Sequence, residues 1–340
     1  HTRVQEKPRR LKNLFSPTED DLKMKSSNSI LVSDLDFEKH VTGFGHPEQP
    51  DRNKAVLKAL DSAGISDKFR KVEPRPCEDG DVLRCHSGKS LKAVKADVAA
   101  KKTQLSPGDP TICSESLDIG RLAAGATLAA VDEVLAGSAS NAFCVVRPPG
   151  HHATPDKGMG FCIFNNIAIA ARYAQKKHGI GKILIVDWDV HHGNGTQDVF
   201  YEDETVFFFS THQSPWYPGT GKLEETGKGK GLGSTLNRPY PAGSGRDKIV
   251  ENAFGQDLLA SMNKFRPEII LISAGFDSRA GDPLGQFRLN DEDFSSLTEI
   301  VLDLAKEYAD GKVISVLEGG YDLNGLGKAT VSHAPKLLEA

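Results

Sequence analysis

Lys182-Ile183-Leu184-Ile185-Val186 is a short β-rich run that gives way at once to Asp187-Trp188-Asp189-Val190-His191-His192-Gly193-Asn194-Gly195. Its length and branched apolar residues read as a strand buried on both faces. The same kind of run recurs at Ala142 to Val146, Thr205 to Phe209, Ile269 to Ser273 and Val313 to Leu317, with Ser29 to Val32 as a first strand. Helix-like stretches lie between several of them, at Asn166 to Lys177, Asp247 to Phe265 and Asp291 to Tyr308. Strand and helix in alternation predict an α/β fold, with one central parallel sheet flanked by helices on both faces. Ligands of such sheets bind outside the carboxyl ends of the strands, so the active site is expected there.

The residues that follow the strands support this. Ala142 to Val146 leads into Arg147-Pro148-Pro149-Gly150-His151-His152, Ile269 to Ser273 into Ala274-Gly275-Phe276-Asp277, and Val313 to Leu317 into Glu318-Gly319-Gly320-Tyr321. Four of the eleven histidines thus fall in two pairs, each just past a strand and beside glycines that let backbone and ligand approach closely. If the chain stays extended beyond Val186, Asp187, Asp189 and His191 share one side, because strand side chains alternate. Asp189 and His191 can then reach one metal ion, with Asp277 as a third ligand from a neighbouring strand. Two carboxylates and an imidazole suit Zn²⁺ or Fe²⁺, and three protein ligands leave positions for water and substrate. Glu318 has no evident partner, and a structural and a functional role are equally open to it.

Composition bounds the rest. The chain has 340 residues with 42 Lys plus Arg against 46 Asp plus Glu, a net charge of −4 that lacks the footprint of a non-specific nucleic-acid binder. No apolar run approaches the roughly 20 residues that span a bilayer. Residues 1–28, charged and aperiodic, read as an arm that is either a solvated tail or a partner-binding segment; residues 29–340 read as a single catalytic domain. Five scattered cysteines without a CxxC pair indicate neither a disulfide framework nor a thiolate zinc site. A reducing, cytoplasmic location is the expectation, with a removed targeting segment left open because the chain starts at His1. The oligomeric state stays open, a dimer or a tetramer included.

RPPGHHA (Arg147 to Ala153), GFCxFNN (Gly160 to Asn166), DxDVHHGNGTQ (Asp187 to Gln197), SAGFDxxxxDPL (Ser273 to Leu284) and LEGGYDL (Leu317 to Leu323) together resemble the arginase-deacetylase fold, and within it the zinc-dependent histone deacetylase family. The resemblance runs from the first strand through HPEQPDR (His46 to Arg52) to the C-terminus. PPGHH, Asn194 and Leu284 look like class II enzymes and bacterial histone deacetylase-like amidohydrolases.

The resemblance implies zinc ligands Asp189, His191 and Asp277, one Zn²⁺ per chain. It implies tandem proton-handling histidines, His151 oriented by Asp187 and His152 by Asn194, and makes Tyr321 the hydrogen-bond donor to the substrate carbonyl. Asp109 matches a rim aspartate that holds the substrate backbone. Gly160, Phe161 and Tyr217 match walls of an acyl-lysine channel, Tyr217 standing where Phe is usual, and Leu284 and Gly320 complete it. K⁺ or Na⁺ is expected as a structural ion around Asp187, Asp189, His191, Ser210 and Thr211, and at a second site around Phe200, Asp203, Val206 and Tyr240.

The implied reaction is hydrolysis of an acetyl or acyl amide on the lysine side chain of a protein or peptide. An acetylpolyamine or other small acyl amine is the alternative substrate, and an acyl-lysine-binding pseudoenzyme the non-enzymatic one. Relatives that prefer acetylpolyamines tend to carry an acidic residue where this chain has Leu284. A ureohydrolase of the same fold would need an aspartate-rich two-metal cluster, in the place of which stand the HisHis and GGY segments. Since Asn194 carries no charge, His152 is expected to have the lower pKa of the tandem pair and to serve as general base.

Overall fold

The structure, a computed structural model, describes residues 28–340. Among them eight strands form one parallel sheet: β1 (Ser29–Val32), β2 (Arg70–Val72), β3 (Asn141–Cys144), β4 (Ile183–Asp187), β5 (Val206–Gln213), β6 (Thr235–Tyr240), β7 (Ile269–Ala274) and β8 (Val313–Leu317). Their spatial order is β2-β1-β3-β8-β7-β4-β5-β6. The helices are α1 (Asp51–Ser62), α2 (Asp79–Val82), α3 (Gly88–Ala99), α4 (Ser116–Leu135), α5 (Asn166–His178), α6 (Asn194–Phe200), α7 (Leu259–Phe265), α8 (Asp291–Tyr308) and α9 (Leu323–Glu339).

The apolar runs form strands because both sheet faces are covered. Along β4, Ile183 and Ile185 enter one core together with residues of α3, α4 and α5, whereas Leu184 and Val186 enter another with residues of α1, α8 and α9. Ile269 and Leu271 of β7 alternate with Ile270 and Ile272 in the same way. Two-residue alternation thus feeds two cores from one sheet. The four strands that lead into the motifs, β3, β8, β7 and β4, are consecutive neighbours at its centre. Their carboxyl ends therefore converge on one point.

Several expectations shift. Asp187 is the last residue of β4, paired with Ser210 and Ser273, rather than the first beyond it. Asp247 to Phe265 is helical throughout, but Asp247–Leu258 is wound as a π-helix before α7. The strands β2 and β6 were not anticipated, because edge strands with half-exposed residues lack a continuous apolar run. The arm expected over residues 1–28 lies, except for Asn28, outside the described residues. No helix of the described residues is long and apolar enough to cross a membrane.

Candidate active site

Beyond Asp187 the chain does not stay extended. It bends at Asp189 to His191, where the Asp189 amide donates to Asp187 Oδ1 and the His191 amide to Asp189 Oδ1. Aspartate side chains commonly close such local turns. The bends bring Asp189 and His191 to Asp277, which follows β7, and one ligand atom from each lies within 4.8 Å of the others. His191 Nδ1 is 3.0 Å from Asp189 Oδ1 and 3.2 Å from Asp277 Oδ2.

This triad has the chemistry of a cation site. All three residues are buried, and apart from the 3.2 Å approach of His191 Nδ1, Asp277 Oδ2 has no hydrogen-bond partner. Two buried carboxylates repel each other and are costly to ionise away from water. Burial, then the charge of Asp189, pushes the Asp277 carboxyl up to about 7. Against burial, Asp189 and Asp277 raise His191 to about 10. A divalent ion would relieve both. Backbone space is reserved around the carboxylates as well: a Cβ on Gly275 would stand 2.1 Å from Asp189 Oδ2, and one on Gly319 2.0 Å from Asp277 Oδ2. The residues present fit a zinc-type ion.

Beside the triad, His151 Nδ1 lies 3.0 Å from Asp187 Oδ2, and His152 Nδ1 lies 2.8 Å from Asn194 Oδ1. The loop that carries both histidines is fixed by Arg147, whose buried guanidinium donates to both Glu48 carboxylate oxygens and to the carbonyls of Phe37 and His40. Burial lowers both imidazoles. At His151 the charges of Asp187, Asp189 and Glu318 outweigh it and hold the ring well above its ordinary value. At His152 no carboxylate offsets it sufficiently, and the neighbouring His151 and His191 lower the ring further. The expected asymmetry of the tandem pair is present.

Tyr321 is buried beside the triad, and its phenol is held well above its ordinary range, first by burial. It is a neutral hydrogen-bond donor. Asp282 Oδ2 accepts from its backbone amide at 2.7 Å, while Asp282 Oδ1 accepts from the Leu284 amide at 2.9 Å. Arg52 stacks on the Tyr321 ring at 4.9 Å and donates to Gly320 O.

A cavity of about 330 Å³ opens onto these groups. His152, His191 and Tyr321 lie in its lining, with walls of Phe161, Gly160, Tyr217 and Leu284 and with Asp109 at the rim. The exposed Asp109 accepts from the Gly160 amide at 2.7 Å and faces Tyr217 Oη at 3.4 Å. Gly160 and Phe161 both have positive φ. A Cβ on Gly160 would stand 2.4 Å from the His152 ring, so only glycine fits there.

Sequence reasoning missed Trp216, which also lines the cavity and donates from Nε1 to Leu284 O at 2.8 Å. Its place next to Tyr217 was a signal. It also missed His46, which meets Phe161 edge-on at 4.9 Å. Glu318 does have partners: it accepts from the amides of Gly150 and His151 and from Ser273 Oγ. Two of these donors are main-chain amides, which leave no mark in a sequence, and Ser273 lies 45 residues away.

The residues expected around structural K⁺ or Na⁺ divide. Ser210 pairs with Asp187 across β4 and β5, and the buried Thr211 Oγ1 lacks a partner. Phe200, Asp203 and Val206 cluster at the other end of β5, where the Asp203 amide donates to Phe200 O. Tyr240 does not belong with them. It pairs with Gln213, seven residues along β5 from Val206 and so roughly 23 Å away. Ser234 is the β6-side residue that reaches this end, and its hydroxyl donates to Asp203 O.

Fold and site together define an α/β enzyme with a buried candidate metal triad, paired imidazoles and a narrow apolar channel. The chain belongs to the histone deacetylase family, whose histone deacetylase domain matches residues 46–337. It is 40% identical to the histone deacetylase-like amidohydrolase of Pseudomonas aeruginosa over 82% of this chain and 73% of that protein. It is also 40% identical to the chloroplastic histone deacetylase 14 of Arabidopsis thaliana, over 86% and 73% of the two chains. With the polyamine deacetylase HDAC10 of Danio rerio it shares 37% identity over 92% of this chain and 48% of that protein. The crystal structure of the HDA15 HD domain superposes with a TM-score of 0.86 at 34% identity, covering 92% of this chain and 90% of that one.

Proposed function

We propose that the chain is a zinc-dependent amidohydrolase of class II type that removes acetyl groups from the side-chain amine of lysine in proteins or peptides, releasing acetate and free lysine. The observation that carries this reading is the convergence, at the floor of one apolar channel, of the Asp189, His191 and Asp277 triad, the differently partnered His151 and His152, and the Tyr321 phenol.

Amide resonance makes hydrolysis slow without an activated water and a stabilised oxyanion. Asp189, His191 and Asp277 would hold a zinc ion, which would supply Lewis acidity and lower the pKa of water toward ~7. His152, kept neutral by burial and by its cationic neighbour, accepts the proton of the attacking water. His151, kept charged by Asp187, stabilises the negative charge that develops, and the tandem pair returns a proton to the leaving amine. The Tyr321 hydroxyl donates to the oxyanion. Phe161, Tyr217 and Trp216 enclose the lysine methylenes, and Asp109 at the rim addresses the substrate backbone. K⁺ or Na⁺ at Ser210 and Thr211 would brace the Asp187 end of β4. Five unpaired cysteines fit a reducing, cytoplasmic setting.

The apolar Leu284 at the channel wall favours acyl-lysine over acetylpolyamine, because a second cationic amine would find no carboxylate in that position. The test is acetate release from an acetyl-lysine peptide by the purified chain. The reading expects release that a chelator abolishes and zinc restores. Release that is indifferent to chelation, or no release with zinc present, contradicts it.

A further inference from the structure

Glu318 stands directly after β8, fully buried, outside the metal triad and outside the channel lining. Its carboxylate joins two different segments, and its backbone adds a third. Oε2 accepts from the amides of Gly150 at 2.7 Å and His151 at 3.1 Å, and Oε1 accepts from Ser273 Oγ at 3.1 Å. Its own amide donates to Ala274 O at 3.1 Å, and its carbonyl accepts from Arg52. Gly150 and His151 follow β3, Ser273 and Ala274 close β7 shortly before Asp277, and Tyr321 lies three residues beyond Glu318. One side chain thus links the strand ends that carry the tandem histidines, a triad member and the phenol.

A buried carboxylate is costly unless hydrogen bonds replace its water, and here three donors do so. Backbone amides donating to a carboxylate make short, directional, charge-assisted bonds. The two amides bound here are those of His151 and of the residue before it. They set the direction in which the His151 and His152 side chains leave the loop, toward Asp187 and Asn194. We infer that Glu318 is a positioning residue for the tandem histidines, acting through the backbone amides of Gly150 and His151. This rests on the reading of His151 and His152 as the proton-handling pair.

The test is a double-mutant cycle with His152, read on acetyl-lysine peptide hydrolysis by the zinc-loaded chain. Glu318→Ala is expected to lower kcat about 10²-fold, as a misplacement of about 1 Å does, while KM and bound zinc stay unchanged. In a His152→Ala background the same change should cost less than about threefold, since residues that act as a unit are strongly non-additive. Glu318→Gln should recover most of the lost turnover, because its amide oxygen can accept from both backbone amides and its nitrogen can donate to Ser273 Oγ. If Glu318→Ala does not fold, Glu318→Asp withdraws the carboxylate by one methylene and undergoes the same cycle.

Full kcat in the alanine variant, an equal loss in both backgrounds, or a loss confined to KM or to zinc content would each overturn the inference while leaving the histidine reading intact. Wild-type kcat in His152→Ala alone would overturn the histidine reading, and the positioning role with it.

Discussion

The imidazoles of His151 and His152 stand 4.0 Å apart between ring centroids, yet their surroundings drive them to opposite protonation states. Burial disfavours charge on both rings, so the difference comes from their neighbours: Asp187 is ionisable and Asn194 is not. Asn194→Asp would place a second carboxylate at His152 Nδ1. A charge at hydrogen-bonding distance raises an imidazole pKa by about 1 to 3 units. The base must be neutral to act, so the acid limb of the kcat/KM profile should move to higher pH by about a unit or more. A profile that stays in place, or moves to lower pH, contradicts the assignment of His152 as base.

Tyr321→Phe removes one hydroxyl and leaves the triad untouched. Loss of a single oxyanion donor typically costs 10²- to 10³-fold, so kcat should fall at least ~10²-fold with zinc content unchanged. Near-normal turnover on an acetyl-lysine peptide removes Tyr321 from the chemistry.

Asp277→Ala leaves Asp189 and His191 as the two remaining side chains of the triad. Stoichiometric zinc should be lost, as measured by elemental analysis of the purified variant. Full retention would mean that the metal is held elsewhere.

Stability should fall in mild acid for a reason separate from the active site. His40, His86 and His212 are lowered to about 4 and His333 to about 3, each chiefly by burial. Their ordinary value is 6.5, so between pH 6.5 and 4 the unfolded chain binds protons that the folded chain refuses. The stability these neutral rings contribute is complete above pH 6.5 and is lost as pH falls through that window, by up to about 1.4 kcal/mol per pH unit for each histidine. Calorimetry at pH 5 in buffers of different ionisation enthalpy should show an uptake of about four protons on unfolding through these groups. An uptake near zero contradicts the burial of neutral imidazoles.

How much of this was legible in the sequence depended on whether a signal was local. The run Val313 to Leu317 is β8 residue for residue, because an apolar strand covered on both faces announces itself. Asp189, His191 and Asp277 were legible because each follows such a run. Residue choice at an edge strand is set by fewer contacts, which hid β6 and left Tyr240 assigned to the wrong end of β5. The partners of Glu318 and the five acceptor atoms around Arg147 include main-chain atoms or residues distant in sequence, such as Glu48 and Phe37. Tertiary pairing of this kind appears only once the strands are side by side.

The central claim is that this site removes acetyl groups from lysine. It is tested most directly by kcat/KM for an acetyl-lysine peptide and for N-acetylputrescine, measured side by side on the zinc-loaded chain and on Leu284→Glu. The account predicts that the unaltered chain prefers the peptide by at least about tenfold, a transition-state difference of ~1.4 kcal/mol, and that the introduced carboxylate narrows the gap. Preference of the unaltered chain for the polyamine, or no acetate from either substrate, would contradict it.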